Sequence, residues 1–185
     1  MAHKVCPWWV GYFLASPLRR LAYDPAKILA PYVREGMTVL EPGPGMGFFT
    51  LELARMVGPS GRVIAVDVQP RMLDRLKRRV TDAGLAERVD IRLVKGDSLG
   101  TGDLAGSADF VLAFAMVHEV PSPESFFNEA ARALKPGACM LLAEPLGHVS
   151  PASFADELTL ATQAGFTVTE APMIRRSQTA VLRKA

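Results

Sequence analysis

The sequence predicts an α/β fold, a doubly wound, seven-stranded, mostly parallel sheet whose last strand is antiparallel. From Met37 onward, short apolar runs alternate with stretches whose apolar residues recur at helical spacing. Such runs are expected of strands that are buried on both faces of a parallel sheet. The last two runs, 166–171 and 178–183, are separated by only about six residues, too few for a parallel crossover. The final strand is therefore predicted to be antiparallel.

The apolar runs predict the strands, and prolines and glycines predict where the helices begin and end. The predicted strands are 37–40, 63–66, 89–94, 109–115, 138–143, 166–171 and 178–183. Pro70 and Pro123 each occupy a favourable first helical position, and Gly84 and Gly165 mark helix ends. The other helices are predicted over 48–57 and 153–164, and residues 103–107 are predicted to form a loop.

Composition and charge narrow the class of protein. A chain of 185 residues suits one core, and 49% hydrophobic with 22% charged residues is an ordinary globular balance. The net charge of +2 is too small to indicate a nucleic-acid partner. No apolar run approaches the roughly 20 residues of a membrane span, and no signal peptide is visible, so we predict a cytoplasmic protein. The oligomeric state stays open.

The two cysteines, Cys6 and Cys139, are too far apart in sequence for a metal-ligand spacing or a disulfide framework. We therefore predict no metal site. Cys139 lies in an apolar strand and is predicted to be a buried thiol, whereas the role of Cys6 stays open.

Residues 1–35 precede the first strand and are predicted to be an N-terminal helical and aromatic segment, separate from a domain over 36–185. Asp24-Pro25 is a good helix start, a cap followed by proline at the first position. An aromatic patch lies earlier in the segment, at Trp8, Trp9, Tyr12 and Phe13. Three interpretations stay open: helices packed on the sheet edge, a lid over a ligand, or a membrane contact with Arg19 and Arg20 as its basic side.

The chemistry is centred on the stretch Glu41-Pro-Gly-Pro-Gly-Met-Gly47, which joins the first strand to the first core helix. Glycine has no Cβ, so a ligand can lie directly against the backbone, and a strand–turn–helix with glycines is a nucleotide-site geometry. The glycines alternate here and do not follow the G-x-G-x-x-G spacing of dinucleotide sites. A carboxylate at the strand end would repel a pyrophosphate, so Glu41 favours a ligand with a cationic head.

This stretch resembles the first motif of class I S-adenosylmethionine-dependent methyltransferases, which pairs an acidic residue with Gly-x-Gly-x-Gly. The resemblance extends over about residues 30–185 and implies the Rossmann-like methyltransferase fold, with S-adenosyl-L-methionine as cofactor and S-adenosyl-L-homocysteine as product. Asp67 follows the second strand about 20 residues after the loop, where a carboxylate accepts from ribose hydroxyls. In the family an acidic residue after the third strand binds the adenine amino group, which implies that role for Asp97.

The full predicted cofactor-binding set consists of Glu41, Gly43, Pro44, Gly45, Gly47, Asp67, Val68, Met72, Asp97, Ser98 and Phe114. His118 and Glu119 follow the fourth strand and are the predicted catalytic residues, with His148 as a lesser candidate. An imidazole titrates near neutrality and suits a general base. The alternative is a histidine that only shapes the pocket.

The stretches Val117-His-Glu-Val120, Arg132-Ala-Leu-Lys-Pro-Gly137 and Leu142-Ala-Glu-Pro145 are similar to small-molecule methyltransferases of the quinone-biosynthesis type. The resemblance implies methyl transfer to an oxygen or carbon nucleophile of a small molecule. Two features depart from the pattern: Pro44 stands where many members carry cysteine or serine, and no substrate domain is inserted before the last helix.

Two alternatives stay open. One is a non-catalytic partner subunit that binds the cofactor. The other is a methyltransferase that acts on a protein or nucleic acid, although 113–119 lacks the Pro-Pro-aromatic pattern of amino-methylating enzymes.

Overall fold

The computed structural model describes residues 7, 9, 11, 23–96 and 98–185. The described residues divide into two compact units. The first unit ends at Lys95, and the second unit begins at Gly96. None of the helices in the part of the chain that is described is long and apolar enough to cross a membrane.

From residue 23 onward, five α-helices and seven strands follow one another. The helices are α1 (Pro25–Leu29), α2 (Thr50–Met56), α3 (Pro70–Asp82), α4 (Pro123–Ala133) and α5 (Pro151–Gln163). The strands are β1 (Thr38–Pro42), β2 (Arg62–Asp67), β3 (Val89–Leu93), β4 (Ala108–Phe114), β5 (Leu134–Pro145), β6 (Phe166–Glu170) and β7 (Ser177–Lys184). Short 3₁₀ helices cover Ala86–Arg88, Gly102–Leu104 and Val117–Glu119.

The seven strands form one sheet in the order β3-β2-β1-β4-β5-β7-β6, which confirms the predicted fold class. In the first unit, β1 runs parallel to β2, and β2 runs parallel to β3. Val39 lies opposite Val63 and Ile64 lies opposite Asp90. The apolar residues of β1 and β2 are buried, as the unbroken runs predicted.

In the second unit, β4 runs parallel to β5, whereas β7 runs antiparallel to both β5 and β6. The predicted antiparallel last strand is therefore confirmed. The short connection from β6 to β7 allows only an antiparallel pair, and β7 lies between β5 and β6. Val111 lies opposite Met140 and Leu141 lies opposite Val181, so these strands contribute buried apolar residues to the core of this unit.

Side-chain caps fix where several helices begin. Asp24 accepts a hydrogen bond from the Lys27 amide at 3.3 Å, which confirms the predicted start of α1. Ser122 and Ser150 cap α4 and α5 in the same way, and each of these helices has proline at its first position. The start of α5 lies two residues before the predicted one because the Ser150 cap precedes Pro151.

Other predictions also differ from the structure. The predicted loop 103–107 begins with the single-turn helix Gly102–Leu104. The fifth strand begins at Leu134 and not at residue 138, and its first part is largely exposed before the buried run that starts at Met140. Cys139 lies at the end of this first part and is therefore half-buried, not buried as predicted.

Candidate functional site

The glycine-rich loop between β1 and α2 needs glycine for two separate reasons. Gly43, Gly45 and Gly47 all have positive φ, at 66°, 54° and 84°, a region that strains other residues. A Cβ on Gly47 would lie 2.5 Å from Leu76 Cδ1, so Gly47 permits close packing on α3. A Cβ on Gly45 would meet nothing within 4 Å, so the backbone there borders open space. The loop therefore has a packed end and an open face.

Glu41 lies in β1 immediately before this loop and is 3% exposed. Its Oε2 atom has no hydrogen-bond partner among the described residues. Burial raises the pKa of Glu41 to about 7, the nearby Thr50 side chain opposes that rise, and the charge of Asp67 adds to it. A buried carboxyl oxygen to which no described residue donates fits a ligand that brings its own donors, such as an ammonium group.

Asp67 ends β2 and is 9% exposed. Its Oδ1 atom accepts a hydrogen bond from the Gln69 amide at 2.9 Å, which fixes the carboxyl group at the start of α3. Val68 is 42% exposed, and Met72 is buried on α3. The Gly43 amide donates to the Val66 carbonyl at 2.8 Å, so the glycine loop and the end of β2 are held together.

The remaining predicted cofactor residues divide into described and undescribed ones. Pro44 is buried, and Phe114, the last residue of β4, is 9% exposed. Asp97 lies outside the described residues. Ser98 is exposed, and its hydroxyl donates to Glu129 Oε2 at 3.2 Å while accepting from the Gly100 amide at 3.0 Å.

The second unit carries the predicted catalytic residues just beyond β4. Ala115 has φ 56°, an unusual value for a residue with a Cβ, and its amide donates to the Ala143 carbonyl at 2.7 Å. This backbone turn leads the chain into the helical turn Val117–Glu119. Strain of this kind is concentrated at functional sites, where the surroundings hold it in place.

The side chain of His118 is held by Glu144, a carboxylate at the end of β5 with 0% exposure. Glu144 Oε1 accepts hydrogen bonds from the Met116 amide at 3.1 Å and the Val117 amide at 2.8 Å. Glu144 Oε2 makes a short contact with His118 Nδ1. The carboxylate therefore fixes both the backbone before His118 and its imidazole ring. On the other side of the ring, Nε2 lies 3.8 Å from Glu119 Oε1.

Charged groups around His118 determine its protonation. Burial alone lowers its pKa, but the hydrogen bond and charge of Glu144, with the charges of Glu119 and Glu157, raise the pKa on balance. Glu157, on α5, is 7% exposed, and its Oε2 atom has no hydrogen-bond partner in the described part of the chain. Burial and the charge of Glu144 raise the pKa of Glu157 to about 8, while His118 opposes this. The His148 ring lies 5.8 Å from the His118 ring in an edge-on arrangement.

Glu129, Glu144 and Glu157 were not among the site residues predicted from the sequence. Glu144 lies at the end of an apolar strand, where a buried carboxylate needs a partner. Its position in the sequence could therefore have predicted a paired, buried carboxylate. Glu157 lies three residues after Phe154 and four before Ala161, on the buried face of α5. A glutamate at such a position likewise predicts a buried carboxyl group.

The predicted lid lies mostly outside the described residues. Trp8, Tyr12 and Phe13 are among those not described, and Trp9 is 64% exposed. The lid therefore stays a prediction.

Comparison with known proteins gives consistent matches. A family model described as a methyltransferase domain matches residues 39–137. The crystal structure of an S-adenosylmethionine-dependent methyltransferase from Aquifex aeolicus is similar with a TM-score of 0.85 and 26% identity, covering 97% of this chain and 98% of the other.

Two curated relatives match over part of their length. An arsenite methyltransferase from Halobacterium salinarum is 32% identical over 125 residues, 68% of this chain and 30% of the relative. A demethylmenaquinone methyltransferase from Lactobacillus johnsonii is 33% identical over 104 residues, 56% of this chain and 42% of the relative. The chain thus spans less than half the length of these two relatives.

Proposed function

Since the chain belongs to the class I S-adenosylmethionine-dependent methyltransferases, we propose that it methylates an oxygen or carbon nucleophile of a small-molecule acceptor with His118 as general base. The observation that carries this proposal is the attachment of His118 Nδ1 to the fully buried Glu144. A carboxylate on one ring nitrogen fixes the tautomer and leaves the other nitrogen to take a proton.

The residues of the first unit fit the cofactor of this family. The Glu41 Oε2 atom, which has no partner in the described part of the chain, suits the ammonium group of the methionine portion. The open face at Gly45 admits a ligand against the backbone. Asp67, fixed by the Gln69 amide, would accept from ribose hydroxyls. When bound, S-adenosylmethionine supplies an electrophilic methyl group on a sulfonium.

The second unit supplies the protein's own chemical step. His118 Nε2 accepts the proton of an acceptor hydroxyl or acidic C–H, and the ring becomes imidazolium. Glu144 stabilises that imidazolium through Nδ1–H, and its two backbone amide bonds keep it from turning away. The raised pKa of His118 makes the imidazole a stronger base than a free histidine.

Two observations support a small-molecule acceptor. The matched relatives are named for arsenite and demethylmenaquinone, both small molecules. The net charge of the chain is only +2, which gives little electrostatic attraction for a nucleic acid.

The test is a transfer assay with methyl-labelled S-adenosylmethionine. The full chain is incubated separately with phenols and quinols, with arsenite, with peptides and with transfer RNA. We expect label in a phenol or quinol product, and we expect His118→Ala to abolish most of it. Label found only in the peptide or RNA fraction would contradict the proposal. Cofactor binding without transfer to any acceptor would favour a non-catalytic partner subunit.

A further inference from the structure

Ordering the glycine-rich loop between β1 and α2 costs more conformational entropy than ordering most loops of its length. Glycine loses more backbone freedom on folding than any other residue, and Gly43, Gly45 and Gly47 all have positive φ. Hydrogen bonds hold the two ends of the loop: the Gly43 amide donates to the Val66 carbonyl, and the Gly47 amide donates to the Pro44 carbonyl at 2.9 Å. Gly45, between them, borders open space. The middle of the loop therefore depends on neighbouring elements for its conformation.

One face of α3 lies against this loop through Met72, Leu76 and Arg79, which are spaced four and three residues apart. Met72 Sδ and Met46 Cε are both close to the position that a Cβ on Gly11 would take, at 2.6 Å and 3.0 Å, so the two methionine side chains are neighbours. Leu76 packs against the last glycine of the loop. Arg79 Nη1 donates a hydrogen bond to the Met46 carbonyl at 2.5 Å, across 33 positions of the sequence. Two of the three residues thus lie against Met46, the residue that follows the open position.

The bond from Arg79 differs in kind from the apolar contacts of Met72 and Leu76. A guanidinium group stays protonated throughout the physiological pH range and presents several donors in a fixed plane. A hydrogen bond with a charged donor is stronger than one between neutral groups, and Arg79 is half-buried, so water competes less for the Met46 carbonyl. Met46 itself is 3% exposed. Arg79 is therefore a polar restraint that fixes the direction of the Met46 peptide.

We propose that Arg79 is a positioning residue for cofactor binding, acting through the Met46 carbonyl on the conformation of the glycine-rich loop. It does not touch the cofactor. With the loop ordered in advance, the entropy cost of ordering it falls on folding and not on cofactor binding, and the affinity for the cofactor rises. This inference rests on the proposed placement of the cofactor at Glu41 and the glycine-rich loop, and it does not depend on the methyl acceptor.

The test measures the affinity of the full chain for S-adenosylhomocysteine by calorimetry, together with the melting temperature of each variant. Arg79→Met keeps the unbranched aliphatic stem that packs on the loop and removes every donor. We expect the affinity to fall about tenfold, the scale of one lost hydrogen bond to a charged group. Arg79→Lys keeps the charge but has a shorter reach and a single donor nitrogen, so we expect an intermediate affinity.

Arg88→Met is the matched control. Arg88 is also half-buried in the first unit, and its Nη1 atom donates to the Ala54 carbonyl at 3.2 Å across 34 positions, but Ala54 lies in α2 and not in the glycine-rich loop. We expect this variant to lose stability and to keep the affinity within about twofold of wild type, since distant sites couple weakly. Equal losses of affinity in Arg79→Met and Arg88→Met would overturn the proposal, because the effect would then be general destabilisation.

Asp67→Ala separates the two levels of the argument, because it changes a proposed cofactor ligand directly. A loss of affinity in Asp67→Ala with full affinity in Arg79→Met would overturn the role of Arg79 alone. Full affinity in Asp67→Ala would contradict the proposed ribose ligand instead. If Arg79→Met does not fold, Arg79→Lys decides: a reduced affinity supports the proposal, and an unchanged affinity contradicts it.

Discussion

Glu41 and Glu144 are both buried carboxyl groups near the carboxyl ends of parallel strands, yet they differ in what satisfies them. Glu144, in the second unit, accepts two backbone amides and contacts His118 Nδ1. Glu41, in the first unit, has an Oε2 atom without a partner among the described residues, and burial raises its pKa to about 7. The protein itself supplies the partners of Glu144, whereas for Glu41 we propose that a ligand supplies them.

This difference separates the two tasks of a methyltransferase. The base must be held in one tautomer before the acceptor arrives, so its partner carboxylate is built in. The cofactor must enter and leave in every cycle, so a carboxyl group that binds it, as we propose for Glu41, has to be accessible to the cofactor's donor between cycles. An unsatisfied buried group costs roughly 1–3 kcal/mol of stability, and that cost is offset when the ligand binds. The predictions below test this contrast, from the largest expected effect to the smallest.

Replacement of His118 by alanine should have the largest effect on catalysis. Loss of a general base lowers turnover roughly 100-fold or more. His118 and the predicted cofactor residues Glu41 and Asp67 have different tasks, so the affinity for S-adenosylhomocysteine should stay within about threefold of wild type. Turnover measured at saturating cofactor, with calorimetry on the same protein, separates the two quantities. His148→Ala is the comparison variant because His148, the lesser catalytic candidate, lies beside His118 but is exposed. If both variants lose rate equally, His118 is not the base.

The stability of the ligand-free protein should depend on pH through Glu41. Its pKa is 4.5 in an unfolded chain and about 7 in the folded protein, so between these values the folded state binds the additional proton. The contribution is therefore fully present below pH 4.5 and is lost as the pH rises through about 7. At about 1.4 kcal/mol per unit of pKa, the difference between 4.5 and about 7 makes the loss at most about 3.5 kcal/mol.

Chemical denaturation of the wild type and of Glu41→Gln from pH 4.5 to 8 measures this loss. The variant should show a flatter dependence, because glutamine does not titrate. Part of the slope should persist in the variant, since burial also raises the pKa of Glu157, to about 8. Identical curves for the two proteins would mean that Glu41 is satisfied in solution.

Conservative replacement of the two carboxyl groups should have opposite consequences for folding. Glu144→Gln loses charge-assisted hydrogen bonds and should lower the free energy of unfolding at pH 7.5 by about 1.5–3 kcal/mol. Glu41→Gln removes a buried charge whose Oε2 atom has no partner among the described residues, so it should leave the free energy of unfolding unchanged or raise it. Denaturation at this pH compares them directly. Equal destabilisation by both variants would contradict the proposal that the protein satisfies Glu144 but not Glu41.

The first unit was more predictable from sequence than the second, for a physical reason. The predicted roles of the glycine loop and Asp67 follow from local backbone chemistry. The loop was expected to need glycine, and the positive φ angles of Gly43, Gly45 and Gly47 agree with that expectation. The His118–Glu144 contact joins residues that are 26 positions apart, one in the helical turn after β4 and the other in β5, and no local pattern encodes such a pair. The fold class followed from periodicity, which is also local. The exposed start of β5 did not follow from periodicity, because only Leu134 in that part is buried. Leu134 pairs with Ala108, and the register shifts before the next pair, Phe110 with Cys139.

The smallest predicted effect is a shift in the pH dependence of turnover. His118 must be neutral to accept a proton, so activity falls as the pH drops through its pKa, which the surrounding carboxyl groups raise above 6.5. Glu119→Gln should move this acid limb to lower pH because it removes a nearby negative charge. Glu157→Gln should move it less, since the charge of Glu119 raises the pKa of His118 more than the charge of Glu157 does. Rate profiles from pH 5 to 9 for the three proteins measure the order of the shifts. A larger shift in Glu157→Gln than in Glu119→Gln would mean that Glu157 is ionised beside His118. In that case Glu157 would be a second charged partner of His118. It would then resemble Glu144, which the protein itself pairs, and not Glu41.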